Sequence, residues 1–134
     1  MKPLLFPFFS TQQFLAGLRI LLGLMLAAHG VMRIFAGTVG GFGEFLAGNG
    51  FPVGVAFAWG VTVFEILGGL ALAIGFAIRW IPLVFIIELI VGIILVHAPR
   101  GWFVVGYTLG GAEFSTLLIF CFLLVASTAN TDKR

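Results

Sequence analysis

The chain has 134 residues, of which 61% are hydrophobic and only 9% charged, with seven Lys+Arg against five Asp+Glu. Its mean hydropathy is +1.22. A soluble domain carries about 25% charged residues and leaves much of its surface in water, so this composition excludes a soluble enzyme, a disordered tail and a nucleic-acid-binding domain, and indicates a polytopic protein of the lipid bilayer.

Four apolar stretches follow in chain order, at about residues 13–35, 53–76, 80–96 and 106–127. A helix crossing ~30 Å of hydrocarbon needs ~20 residues at a rise of 1.5 Å each. The stretches are continuously apolar rather than alternating, which argues against a β-barrel. The first contains Arg19 and no small-x-small cleavage site, so it reads as a retained helix rather than a signal peptide. The expected fold is therefore all-α: an integral membrane four-helix bundle with four transmembrane helices, forming one domain over residues 1–134. Residues 37–52 and 98–106 read as outer loops, with Phe42, Phe45, Phe51, Trp102 and Tyr107 at interfacial depth. Lys2, Arg79, Lys133 and Arg134 fall on one side of such a bundle, and Arg33 and Arg100 on the other. Four against two places both termini in the cytoplasm.

Ionisable groups inside these stretches are the most informative residues. A charge at the centre of a bilayer costs about 2.5–3.5 kcal/mol on an insertion scale, which asks for a partner, a proton or a function. Arg19, Glu65, Glu88 and Glu113 are such groups. Counted from the inner face by helix rise, Arg19 lies about 9 Å deep, Glu88 about 12 Å and Glu65 about 13 Å. An arginine and two carboxylates at one level suit a buried cluster, since Arg binds a carboxylate through two parallel hydrogen bonds. Toward the outside, His29 at about 6 Å and Glu113 at about 10 Å are expected to pair. His97 stands nine residues from Glu88, on the opposite side of an ideal helix, unless the helix breaks before Pro99. Three carboxyls beside one arginine leave at least one of Glu65, Glu88 and Glu113 to carry a proton.

Gly23 and Gly30 lie on the Arg19 side of the first helix, and Gly68 and Gly69 on the Glu65 side of the second. Small residues there let helices approach closely, so the charged faces are expected to point inward. Cys121 reads as a small buried side chain. No spacing matches a zinc or iron site, no phosphate-cradling motif and no nucleophile–base arrangement is present, and a haem held by His29 and His97 is disfavoured by their facing. No catalytic residue and no metal site are expected.

The order Arg19-x3-Gly23-x5-His29-Gly30-x2-Arg33, then Glu65-x2-Gly68-Gly69-x5-Gly75-x3-Arg79, then Glu113, resembles the DoxX family of small bacterial and archaeal membrane proteins, over about residues 13–128. The resemblance implies a four-helix fold in the cytoplasmic (inner) membrane. The family takes its name from a subunit of an archaeal thiosulfate-to-quinone oxidising system. Family members often carry Lys where this chain has Arg33. Carried over to this sequence, Arg19, His29, Glu65 and Glu113 are the family positions, and Glu88 joins them by depth. The first functional expectation is an accessory subunit of a membrane oxidoreductase, its polar pocket holding a quinone head group and its partner carrying the redox chemistry. A small proton-coupled transporter and a non-catalytic assembly or anchoring protein are the alternatives. A homo-oligomer is compatible with all three.

Overall fold

The computed structural model describes residues 8–130, and every described regular element is helical. α1 spans Thr11–Phe35. It starts on a capping box, in which Ser10 Oγ accepts from the Gln13 amide at 3.2 Å and Gln13 Oε1 accepts from the Ser10 amide at 2.8 Å. These bonds satisfy two groups that the helix start would otherwise leave open. α1 ends at Gly37, whose φ of 67° lets the chain reverse while the Thr38 amide donates to the Arg33 carbonyl at 3.1 Å.

The segment read as the first outer loop is instead largely helical. α2 spans Val39–Gly48 and buries Val39, Gly43 and Leu46. Its glycines hid a helix from a reading by propensity. They serve contact: a Cβ on Gly54 would stand 2.1 Å from the Gly43 carbonyl oxygen, so α2 lies directly on the start of α3. α3 spans Gly54–Ala73 and ends on the same device as α1, with Gly75 at φ 89° and the Phe76 amide donating to the Ala71 carbonyl at 2.8 Å.

α1 and α3 run antiparallel in backbone contact. A Cβ on Gly23 would stand 2.4 Å from the Gly69 oxygen, and a Cβ on Gly69 would stand 2.4 Å from the Gly23 oxygen. A Cβ on Gly30 would stand 2.8 Å from the Thr62 oxygen. This seam fixes the register of the two helices.

α4 spans Ile81–Gly92 and runs on without a break into a π-helical turn, Ile93–His97, and a 3-10 turn, Ala98–Arg100. The fourth apolar stretch begins as a helix later than expected. Gly106 and Gly110 hold positive φ values, and Gly111 is pressed against the Trp102 backbone. Residues 101–112 therefore fold as a tight reversal, with the Gly110 amide donating to the Val104 carbonyl at 2.9 Å and the Ala112 amide to the Gly101 carbonyl at 3.0 Å. α5 spans Glu113–Thr128. Where four crossings are expected, three helical stretches among the described residues are long and apolar enough to span a membrane: Thr11–Phe35, Gly54–Ala73 and Ile81–Arg100. With 16 residues, α5 reaches only about 24 Å.

Leu72, Phe85 and Phe122 are fully shielded at the centre. Phe85 stacks on Phe122 at a centroid distance of 5.3 Å and meets Phe64 at 4.9 Å. This aromatic column joins α3, α4 and α5, and its offset contacts add to the burial of the rings. Outward, large apolar side chains such as Leu67, Ile87, Phe120 and Leu124 are exposed, as a surface facing acyl chains requires. Even an alanine methyl cannot enter the α1–α3 seam without parting the backbones. Gly69→Val is expected to destabilise the protein by about 3 kcal/mol, read as a fall in thermal unfolding temperature in detergent, while Gly17→Val, where a Cβ meets open space, changes it little.

Candidate functional site

The polar cluster of the bundle forms where α1 passes α3 at Gly30. Glu65 is 1% exposed there, and three side-chain nitrogens meet its carboxylate. Arg33 Nη1 donates to Oε2, Arg33 Nη2 donates to Oε1 at 3.2 Å, and His29 Nδ1 lies 3.1 Å from Oε1. The Arg33 contact is the two-pronged form that suits a dry site. Arg33 Nη1 also donates to Thr62 Oγ1 at 3.0 Å, and that hydroxyl donates to the Ala58 carbonyl at 2.7 Å. Phe42 of α2 lies 4.6 Å from the guanidinium carbon and covers it with its ring. The Arg33 side chain is thereby left only 12% exposed. His29 Nδ1 is also 3.3 Å from Arg33 Nη2, so the ring donates to Glu65 in one tautomer and accepts from Arg33 in the other.

The arginine of this pair is not the one expected. Arg19 reaches the Ala73 carbonyl at 3.5 Å and stands outside the cluster. The reason is directional. Side chains on a helix lean toward its N-terminus, so Arg33 reaches back along α1 to Glu65, whereas Arg19 leans away from it. The glycine seam sets the register that makes this difference decisive. The expected His29–Glu113 pair is likewise absent. His29 belongs to Glu65, and Glu113 Oε1 accepts from the Val104 amide at 2.9 Å, tying the 101–112 reversal to the head of α5.

Glu88 stands beside the cluster on α4. Its carboxyl lies near that of Glu65. Two buried carboxyls close together disfavour a second negative charge. Both Glu65 oxygens face Arg33 or His29 nitrogens, so Glu88 is the carboxyl expected to carry the proton.

Glu88 also borders a cavity of about 810 Å³. Its walls carry Phe42, Phe45, Phe51, Phe57 and Phe64, and its polar groups are His29, Arg33, Glu88, His97 and Ser115. Phe57 on α3 and Val84 and Ile87 on α4 line it while being exposed themselves, so it opens sideways between α3 and α4 onto the lipid-facing surface. His97 faces the same cavity as Glu88 despite the nine residues between them. The π turn holds an extra residue and brings the imidazole round, and such turns recur at functional sites. His97 Nδ1 donates to the Gly110 carbonyl at 2.7 Å, which presents Nε2 as an acceptor. Among the described residues, no three His, Cys, Asp or Glu side chains could hold a metal ion.

Residues 14–98, well over half of the chain, match the family model DoxX. The chain belongs to the DoxX family. The match includes Arg19, His29, Arg33, Glu65 and Glu88, and stops before Glu113. No curated protein and no solved structure matches the chain.

The ion pair is expected to behave as a unit. Arg33→Ala alone leaves a buried carboxylate unpaired and should cost about 3–5 kcal/mol. The double change Arg33→Met with Glu65→Leu should recover most of that loss in thermal unfolding. Infrared spectra should show one carbonyl stretch of a protonated carboxyl that disappears in Glu88→Gln and persists in Glu113→Gln.

Proposed function

We propose that this DoxX-family protein is an accessory subunit of a membrane redox system and that its cavity holds the head group of a lipid-soluble quinone. The observation that carries this reading is a side-opening, phenylalanine-walled cavity that ends on hydrogen-bonding groups. A quinone partitions into the bilayer and enters from it, so an opening between α3 and α4 gives it access without passage through water. The isoprenoid tail then remains among acyl chains. A volume of about 810 Å³ lies within the usual range for small-molecule sites. The flat ring packs against aromatic walls, and its carbonyl oxygens need donors. The Glu88 hydroxyl is one, and the guanidinium of Arg33 bears further N–H groups. His97 Nε2 serves the hydroxyl of the reduced, quinol form.

Arg33 and Glu65 act as the fixed base of the site. Arg33 holds Glu65 as an anion, and Glu65 in turn orients the Glu88 hydroxyl. The electrons belong to a partner protein. In this reading α5, with the 101–112 reversal at its head, makes the fourth crossing, and both termini face the cytoplasm.

Equilibrium binding of short-chain benzoquinone and naphthoquinone to the protein in lipid nanodiscs tests the proposal. Saturable one-to-one binding of one class is expected. Gly60 borders the cavity and a Cβ there meets open space, so Gly60→Leu should fill the cavity and cut affinity more than tenfold without lowering the unfolding temperature. Glu88→Gln changes the donor from hydroxyl to amide and should weaken binding several-fold. Binding of neither class, or binding untouched by Gly60→Leu, removes the quinone reading and leaves a charge pair that only fixes helix packing.

A further inference from the structure

Arg19 takes no part in the cavity, and its surroundings leave its charge unanswered. It lies level with the last residues of α3. Nη2 donates to the Ala73 carbonyl at 3.5 Å, the outer limit of a hydrogen bond, and a Cβ on Gly75 would stand 2.9 Å from Nη1. The guanidinium therefore rests against the chain reversal that follows α3. Nε is buried with no hydrogen-bond partner. Both ion pairs among the described residues use Glu65, so none of the described carboxylates neutralises Arg19. The carbonyl end of α3 offers only the partial negative charge of a helix terminus.

The reversal itself, residues 74–80, carries the marks of a membrane interface. Ile74, Phe76 and Trp80 are exposed on it. Arg79, also exposed, lies 5.4 Å from the Trp80 ring. Exposed apolar side chains beside tryptophan and arginine belong where acyl chains meet head groups. This turn thus brings two cations and no described anion to the depth at which a bilayer presents phosphate. A phosphodiester accepts two parallel hydrogen bonds from guanidinium and supplies the missing charge.

We infer that Arg19, with Arg79 on the reversal that Arg19 rests against, binds the phosphate of an anionic glycerophospholipid at the side of the bundle where α3 ends. A lipid with net negative charge is favoured over a zwitterionic one because the head group of the latter brings its own cation to a turn that already holds two. This site lies apart from the cavity, so its failure leaves the quinone reading intact.

Thermal unfolding in nanodiscs of phosphatidylcholine, with and without phosphatidylglycerol, tests the inference. Phosphatidylglycerol should raise the unfolding temperature by about 3–6 °C. Arg19→Gln should remove more than half of that rise, Arg79→Gln a smaller share, and Arg19→Lys should restore part of it. Asp132→Asn, which removes the acidic side chain beyond the described residues, should leave the rise intact. A rise that survives Arg19→Gln overturns the inference. So does a rise reproduced by inorganic phosphate in phosphatidylcholine alone, or an Arg19→Gln variant that unfolds earlier by the same amount in both lipids, which would make Arg19 a cap for α3 and nothing more. Native mass spectrometry of the wild-type protein gives a reading that needs no variant: retention of phosphatidylglycerol over phosphatidylcholine supports the site, and equal retention rejects it.

Discussion

The bidentate contact between Arg33 and Glu65 is the interaction around which this bundle is organised. A carboxylate at membrane depth is costly unless its charge is met at close range. Meeting it from α1 requires α1 and α3 to sit in one register and nearly touch, which the paired glycines 23 and 69 and the single Gly30 make possible. Shielding the guanidinium then requires an apolar cover, and α2 supplies it through Phe42. The contact thus accounts for the position of a short helix that no hydrophobic-length argument would place there.

The cavity follows from the same arrangement. α1, α2 and α3 form one tightly packed group, and α4 and α5 form another, joined through the Phe64–Phe85–Phe122 column. Where α3 and α4 diverge, five phenylalanines and a few polar groups surround open space. The polar end of that space is the Glu88 face of the buried pair, so one set of charges serves packing on one side and presents chemistry on the other.

Much of this was legible in the sequence. Composition sufficed for a helical membrane protein, and the cost of buried charge singled out Glu65 and Glu88, which lie near each other. The choice of arginine was not legible, because counting residues from the membrane face ignores the lean of side chains and the register imposed by the seam. The signal was present in His29, Gly30 and Arg33, three neighbours on one face of α1 opposite Glu65. The helical character of residues 39–48 was hidden by their glycines. The late start of α5 was masked by a run of apolar residues whose glycines at 106 and 110 stop a helix by their backbone angles. His97 could not be placed from an ideal helical wheel, since nothing in IILVH announces a widened turn.

That widened turn makes the length of α4 unusually consequential. Loss of a single residue between Ile93 and His97 would let the segment relax into ordinary helix, swinging the imidazole away from both the cavity and the Gly110 carbonyl. The 101–112 reversal would lose its anchor at the same stroke. Chain length there is thus under a constraint that substitution by any apolar residue would not reveal: the segment tolerates changes of letter more readily than changes of count.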